Sequence, residues 1–201
     1  MTVSPPTRPT LRDRYDRRRA RVIVGAARVF AERGYDQTSI QDLADELGMA
    51  AGGLYHYIGS KEELLRSICD ALMDPLLERA RALVTEEERE PAAALRALVR
   101  LWVAHVVAHR DHVLVFQQER HVIGRGAQWR RVRSQRKQFE RLVEDLLERV
   151  QAEGGLALAD TRLALSALLG MVNHTAQWFR PRGRLSAEQI ADGYVDLLLA
   201  R

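Results

Sequence analysis

Residues 49–64 read Met-Ala-Ala-Gly-Gly-Leu-Tyr-His-Tyr-Ile-Gly-Ser-Lys-Glu-Glu-Leu, with little bulk in the first half and a dense set of donors in the second. A glycine inside a helix costs about 1 kcal/mol against alanine. Ala51, Gly52 and Gly53 therefore suit a helix whose backbone has to approach another surface closely. Tyr55, His56 and Tyr57 offer two hydroxyls and an imidazole, and Lys61 stands where a further helix is expected to begin. Backbone amides at a helix start, together with a lysine, form a phosphate site. Thr38 and Ser39 offer hydroxyls and amides in the same way at the start of an earlier helix. The plainer readings are half-buried packing for the two phenol rings and ordinary solvation for Lys61. The surrounding pattern has to decide between them.

That pattern is helical. Val22, Ala26 and Phe30 repeat every four residues, with Ile23 and Ala27 beside them. Gly34, after Arg33, ends this first helix as a left-handed cap. Thr38 is the expected N-cap of a second helix, with Gln41 closing a capping box. Ile40, Leu43, Ala44 and Leu47 give that helix one apolar face, and Gly48 turns the chain into a third short helix, Ala50 to Tyr57, anchored by Leu54. Three helices with a glycine turn between the second and third make a helix-turn-helix, whose third helix is pushed outward to probe a major groove. Ser60 and Glu63 form another capping box ahead of Leu64, Leu65, Ile68 and Leu72, and Pro75 is expected to bend or end this fourth helix.

Pro91 opens a fifth helix, with Leu95, Leu98, Trp102 and Val106 down one side. A break near Arg110-Asp111 leads to Val113–Val122, and Gly124 and Gly126 punctuate the next join. Val132, Phe139, Val143, Leu146 and Val150 mark a long amphipathic helix that ends before Gly154-Gly155. Leu163 to Phe179 is apolar nearly all round, as a buried or interface helix is. Pro181 and Gly183 stop it, and Ile190, Tyr194, Leu197 and Leu198 define the last helix. The expected fold is all-α with about nine helices. The expected organisation is a disordered basic arm over residues 1–16, a DNA-binding helix-turn-helix domain over 17–68, and a second helical domain over 69–201.

Phe30-Ala31-Glu32-Arg33-Gly34-Tyr35, Thr38-Ser39-Ile40, Leu43-Ala44, Gly48 and Gly53-Leu54-Tyr55-His56-Tyr57-Ile58-Gly59-Ser60-Lys61-Glu62-Glu63-Leu64 resemble the TetR/AcrR family of one-component regulators. The resemblance covers residues 17–68 and extends to spacing, caps and glycines. It implies that Thr38, Tyr55, Tyr57 and Lys61 contact phosphates and that Ala51, Gly52 and Gly53 face bases. It also implies that residues 69–201 are an effector-binding and dimerisation domain, with a dimer joined through the last two long helices, Leu163–Phe179 and Ser186–Arg201. Two departures stand out. Ala50 occupies the position where the family often has a Ser or Thr N-cap, and the base-facing stretch has no long polar side chain. His56, an arginine arm in a minor groove (Arg17, Arg18 and Arg19), or DNA shape would then supply discrimination.

The C-terminal part is similar, less closely, to KstR-type regulators of lipid and steroid catabolism and to related regulators that sense acyl-CoA thioesters. The residues carrying that similarity are Val115-Phe116-Gln117-Gln118-Glu119, Arg133 to Phe139, Trp178-Phe179-Arg180-Pro181 and Leu185 to Gln189. An acyl-CoA effector needs an apolar tunnel with a cationic mouth. Arg125, Arg130, Arg131, Arg133, Arg136 and Lys137 are candidates for the mouth, and Trp102, Phe116, Asn173, His174, Gln177 and Trp178 for the lining. A solvated helix face and ordinary core packing are the simpler accounts of both sets. His105, His109 and His112 share one helical face if that helix continues across Arg110-Asp111, so a metal sensor stays open beside surface or pocket histidines. A multidrug sensor of the same family stays open too.

Composition bounds the rest. The chain has 201 residues, 31 Lys+Arg against 27 Asp+Glu, and 46% hydrophobic residues, the make-up of a folded globular protein. Residues 1–21 concentrate seven arginines against Asp13 and Asp16, a basic segment suited to a phosphate-rich partner. Cys69 is the only cysteine, which excludes an internal disulfide and fits a reducing compartment. Neither a secretory leader nor a membrane span is read from the pattern, and the expected location is cytoplasmic. No Gly-rich phosphate loop, nucleophile elbow or His-Glu zinc helix supports an enzyme, and no cofactor is called for. A helical adaptor that does not bind DNA is the rival from another class, and it leaves Gly52-Gly53 unexplained.

Overall fold

The computed structural model describes residues 9–85 and 90–200. These form ten α-helices: α1 (Pro9–Arg33), α2 (Ile40–Glu46), α3 (Ala51–Ile58), α4 (Lys61–Val84), α5 (Pro91–Ala108), α6 (Arg110–Gln118), α7 (Arg120–Ile123), α8 (Arg130–Ala152), α9 (Thr161–Trp178) and α10 (Ala187–Asp196). A 3-10 turn, Ala127–Trp129, leads into α8. The tenth helix beyond the nine expected is α7, whose four residues are too few to show a period.

Two hydrophobic cores organise these helices. The first gathers Val22, Ala26 and Phe30 of α1, Leu43 and Ala44 of α2, Leu54 of α3 and Leu64, Leu65 and Ile68 of α4. Val115, Ile123, Trp129 and Val132, from α6 to the start of α8, complete it, and Trp129 is wholly buried. The second core is built on α5, through Leu95, Leu98, Trp102 and Val106, packed among the C-terminal half of α4, α8, α9 and α10. Helix α5 is long and apolar enough to cross a bilayer, but half of it is buried as the axis of this core. Arg96 and Arg100 of α5 pair with Asp192 and Asp196 of α10, with Arg100 Nε 2.6 Å from an Asp192 oxygen. The arginines hold the Asp192 carboxyl below its usual range, and such exposed pairs contribute about 0–1 kcal/mol each.

Several expectations need correction. Residues 9–16, expected as part of a disordered arm, are the first two turns of α1; the expected disorder of residues 1–8 lies outside the described residues. Tertiary contacts hold this extension. Tyr15 meets His56 edge to face and lies tilted against Tyr57, with ring centroids 5.4 and 5.2 Å away, and its hydroxyl donates to the His56 carbonyl at 3.1 Å. The N-cap of α2 is Ser39, not Thr38, and its capping-box partner is Asp42, not Gln41. Thr38 is buried and its hydroxyl donates to the Gly34 carbonyl at 2.7 Å. Of the two outcomes expected at Pro75, a bend or an end, helix α4 does not end there but runs on to Val84. Helix α10 stops at Asp196, and the chain then pairs Leu199 with Leu156 in a short antiparallel bridge.

Two side chains bind the elements together internally. Arg19 of α1 donates from Nε to the Tyr57 carbonyl at 3.2 Å and from Nη2 to Ser67 Oγ at 2.7 Å, joining α1, α3 and α4. His105 of α5, 3% exposed, hydrogen-bonds through Nε2 to the Leu72 carbonyl of α4 at 2.8 Å. Burial, and then the neighbouring His109, push the His105 pKa down to about 4.

Arg19→Ala is expected to lower the unfolding free energy by about 1.5–3 kcal/mol, the range for hydrogen bonds to a charged group, as read from urea melts. A change under about 0.5 kcal/mol, the surface-substitution level, would show that water replaces the clamp. The unfolded chain protonates His105 near pH 6.5 while the folded chain resists until about pH 4. The stability this histidine contributes is therefore complete above about pH 6.5 and lost as pH falls toward 4. In His105→Gln, which keeps a donor for Leu72, the stability gap to the parent chain should narrow on acidification across that window. A gap independent of pH would remove His105 as the cause.

Candidate nucleic-acid interface and effector cavity

Helix α3 is set outward by its two buried residues, Leu54 and Ile58, which fix it to the first core. Gly48, with φ +62°, makes the turn that brings it there from α2. Its N-cap is Ala50, which provides no side-chain hydrogen bond, so the first-turn amides are uncapped. Gly52 and Gly53 are exposed, and a Cβ built on either would meet nothing within 4 Å. Neither has a positive φ. Nothing within the chain thus requires glycine at these two positions. They leave a bare, amide-bearing helix end open to whatever approaches from outside.

Candidate donors follow in the second half of α3 and on its neighbours. Tyr55 is 47% exposed and His56 is exposed, whereas Tyr57 is partly covered by Tyr15. Lys61, in the first turn of α4, rests 4.3 Å from the centroid of the Tyr35 ring, with Nζ 3.5 Å from the Asp36 carbonyl. Tyr35 itself has its pKa raised, by burial first and then by Glu62. Ser39 is exposed, but its amide and hydroxyl both donate to Asp42, at 2.7 and 2.6 Å, so a carboxylate already caps α2. Thr38 is no surface donor, because its side chain is enclosed and bonded to Gly34. Arg17 and Arg18 are exposed on the helical extension of α1, not on an extended arm, while Arg19 is the internal clamp described above.

A second feature lies in the other core. A cavity of about 280 Å³ is walled by Leu72, Met73 and Leu76 of α4, Trp102, His105 and Val106 of α5, Val113 and Phe116 of α6, Phe139 of α8 and Leu169 of α9. Gln117, Asn173, Arg120, Arg136 and Glu140 add its polar edge. Trp102 and Phe139 meet edge to face at 4.9 Å. Arg136 Nε sits 3.1 Å from Glu140 Oε1.

Of the expected ligand residues, Trp102, Phe116, Asn173 and Arg136 line this cavity. The others do not. Arg130 is exposed outside it, and Arg133 donates to the Ile123 and Gly126 carbonyls, closing the loop before α8. Arg131 pairs with Asp74, at 2.8 Å, and Asp70 of α4. His174 and Trp178 point outward on α9, and Gln177 reaches only Gln117, at 3.4 Å. Arg120, on the short α7, is the cavity residue that the sequence pattern missed.

Among the described residues no group of three or more metal-capable side chains converges. His105 and His109 stack face to face at 4.1 Å, with His112 edge-on to His109 at 5.9 Å, and the helix breaks between His109 and Arg110. Cys69 is fully buried, and burial raises its thiol pKa beyond the range of a reactive thiolate.

Comparison with known proteins meets this geometry at both ends of the chain. Residues 22–68 match the profile of the bacterial regulatory proteins of the tetR family, and residues 88–201 match the tetracyclin repressor-like C-terminal domain. The transcriptional repressor KstR2 of Mycobacterium tuberculosis is 28% identical over 183 residues, covering 90% of this chain and 91% of its own. Its solved structure, that of a ketosteroid transcriptional regulator, superposes with a TM-score of 0.83 at 26% identity, over 92% of this chain and 96% of the other. AibR, solved with isovaleryl coenzyme A and operator DNA, superposes with a TM-score of 0.77 at 32% identity, over 90% of this chain and 97% of the other. PfmR of Thermus thermophilus gives a TM-score of 0.76 at 31% identity, over 88% of this chain and 96% of the other. With one profile matched at each end and the whole chain superposing on such regulators, the chain belongs to the TetR family of transcriptional regulators.

Proposed function

We propose that this chain is a dimeric repressor that holds a palindromic operator in two successive major grooves and lets go when an acyl-CoA thioester fills the cavity among α4, α5, α6, α8 and α9. The observation that carries this reading is the composition of the cavity: apolar walls that include Trp102, Phe116 and Phe139, with Arg120 and Arg136 at the polar edge. An apolar chain is stabilised within such walls, while guanidinium groups suit the phosphates of a nucleotide carrier. AibR, with isovaleryl coenzyme A bound, supports the same class of ligand. Arg130 and Arg133 drop out of the mouth, and Arg120 joins Arg136 there.

For the dimer, the support is the outer face of α9. Leu163, Gly170, His174 and Trp178 follow one another on its exposed side, Leu163 at 56% and Trp178 at 46% exposure, and Leu197 beyond α10 is 70% exposed. An apolar face next to a second helix end is suited to a self-complementary four-helix contact. For DNA, Tyr55, His56, Tyr57, Lys61 and the exposed Arg17 and Arg18 are the proposed phosphate contacts, with Ala51, Gly52 and Gly53 against the bases. Ser39 contributes from the start of α2 only by turning away from Asp42.

Gly53→Ala should raise the stability of the free protein by up to about 1 kcal/mol, since a Cβ meets open space there. The same change should weaken operator binding, because the methyl group holds the backbone off the duplex. Thermal melts and fluorescence anisotropy on one preparation measure both, and equal or tighter DNA binding would sink the close-approach account. The overall reading is tested by anisotropy on the intergenic DNA beside the protein's own gene, titrated with mixed acyl-CoAs and, in parallel, the free acids. Release by the thioesters alone is expected. Tight binding disturbed by neither addition would keep the DNA role and overturn the effector class.

A further inference from the structure

The cavity volume sets a limit on the effector. Liquid water occupies about 30 Å³ per molecule, and a packed carbon group takes a similar share. On that measure 280 Å³ holds about nine non-hydrogen atoms. An octanoyl group fills it; the four fused rings of a steroid need about twice the space.

The walls differ in how far they can yield. Trp102 and Phe139 form an edge-to-face pair 4.9 Å apart, and they are 2% and 3% exposed. Both belong to the second core, where close packing resists an added methylene. His105 closes the α4–α5 side, because its Nε2 is committed to the Leu72 carbonyl. Phe116 is the exception. It is only partly buried and packs against both cores, at the boundary between them.

We propose that the acyl part this chain senses is short, no longer than about eight carbons, and that the Trp102–Phe139 pair is the fixed wall while Phe116 is the adjustable one. The inference rests on the acyl-thioester reading above and narrows it. The nucleotide portion of a thioester would meet Arg120 and Arg136, which line the polar edge of the same volume, so the acyl part has at most 280 Å³.

Direct binding tests it without any operator. The full chain is titrated with butyryl-, octanoyl- and dodecanoyl-CoA, each below its micelle concentration, and with free coenzyme A, by calorimetry. Octanoyl-CoA should bind more tightly than butyryl-CoA, since each buried methylene adds about 0.8 kcal/mol. Dodecanoyl-CoA should bind about tenfold more weakly than octanoyl-CoA, or worse, as overpacking sets in. Affinity that keeps rising to dodecanoyl would overturn the size limit and leave the thioester reading intact. No binding by any thioester would overturn that reading and the limit with it. In Phe116→Ala, checked for parental melting and DNA binding, dodecanoyl-CoA should come within about threefold of octanoyl-CoA, about 0.6 kcal/mol. An unchanged chain-length preference in that variant would place the limit outside this cavity and overturn the assignment.

Discussion

Helix α4 belongs to both hydrophobic cores at once, and the rest of the molecule is arranged around that constraint. Leu64, Leu65, Ile68 and Cys69 are buried in the core that carries the probe helix. One turn later Leu72, Met73, Leu76 and Leu77 are buried in the core that holds the cavity. A continuous helix transmits displacement because its backbone hydrogen bonds resist local bending. Pro75 lies just past the changeover and has no N–H for the carbonyl one turn back. The hydrogen-bond ladder is therefore weakest beside the cavity, where Leu72, Met73 and Leu76 form its wall. The buried His105–Leu72 bond braces that same turn from α5.

A second route runs through α6. Val115 and Trp129 sit in the first core although they come from the C-terminal half, and Gln118 reaches the Ala31 carbonyl of α1 at 3.4 Å. Phe116 packs on both cores. The two halves thus share side chains, and a ligand that repositions Phe116 or α4 acts on the first core directly. In thermodynamic terms, a ligand lowers DNA affinity only as far as it binds the displaced arrangement better than the DNA-competent one. Closely packed interiors convert small shifts at one wall into discrete rearrangements elsewhere. Glu119, buried at the α6–α7 junction with Oε2 lacking a hydrogen-bond partner, belongs to the same hinge region.

How legible the molecule is in its sequence depends on what decides each element. The helix-turn-helix is readable because local signals agree: apolar spacing in α1 and α2, the glycine turn at Gly48, and the Ser60 cap of α4. The cap of α2 is misplaced by one residue because Thr38 and Ser39 are both able caps, and only the fold shows that Thr38 is enclosed against Gly34. The start of α1 is invisible because charged residues show no apolar period; Tyr15 and Arg19 hold that segment through tertiary contacts. Pro75 reads as a bend or an end, and sequence alone does not choose between them; the helix continues through it, packed on both sides. In the cavity, Trp102 and Phe116 are recognisable from type and spacing. The arginines around the start of α8 cannot be sorted in that way, since Arg131, Arg133 and Arg136 differ only in what faces them. Arg120 escapes because its helix is a single turn.

The bare surface of α3 bears on how such a regulator is released. Long side chains at an interface can follow a small movement of the helix that carries them, because rotamer changes absorb it. Gly52 and Gly53 have nothing to extend, so contacts made by their backbone are lost as soon as the helix lifts. On the proposed reading, discrimination among sequences then rests on groove shape and on the close fit of backbone to bases, both of which fall steeply with distance. Tyr15 and Arg19 tie the C-terminal end of the same helix to α1. Helix α1 in turn lies against α6, so the probe helix cannot relax independently of the cavity half. A glycine-faced probe, rigidly clamped behind, thus requires less displacement for release than one armed with flexible donors. The positions that make its DNA contact close are the ones that make the contact easy to break.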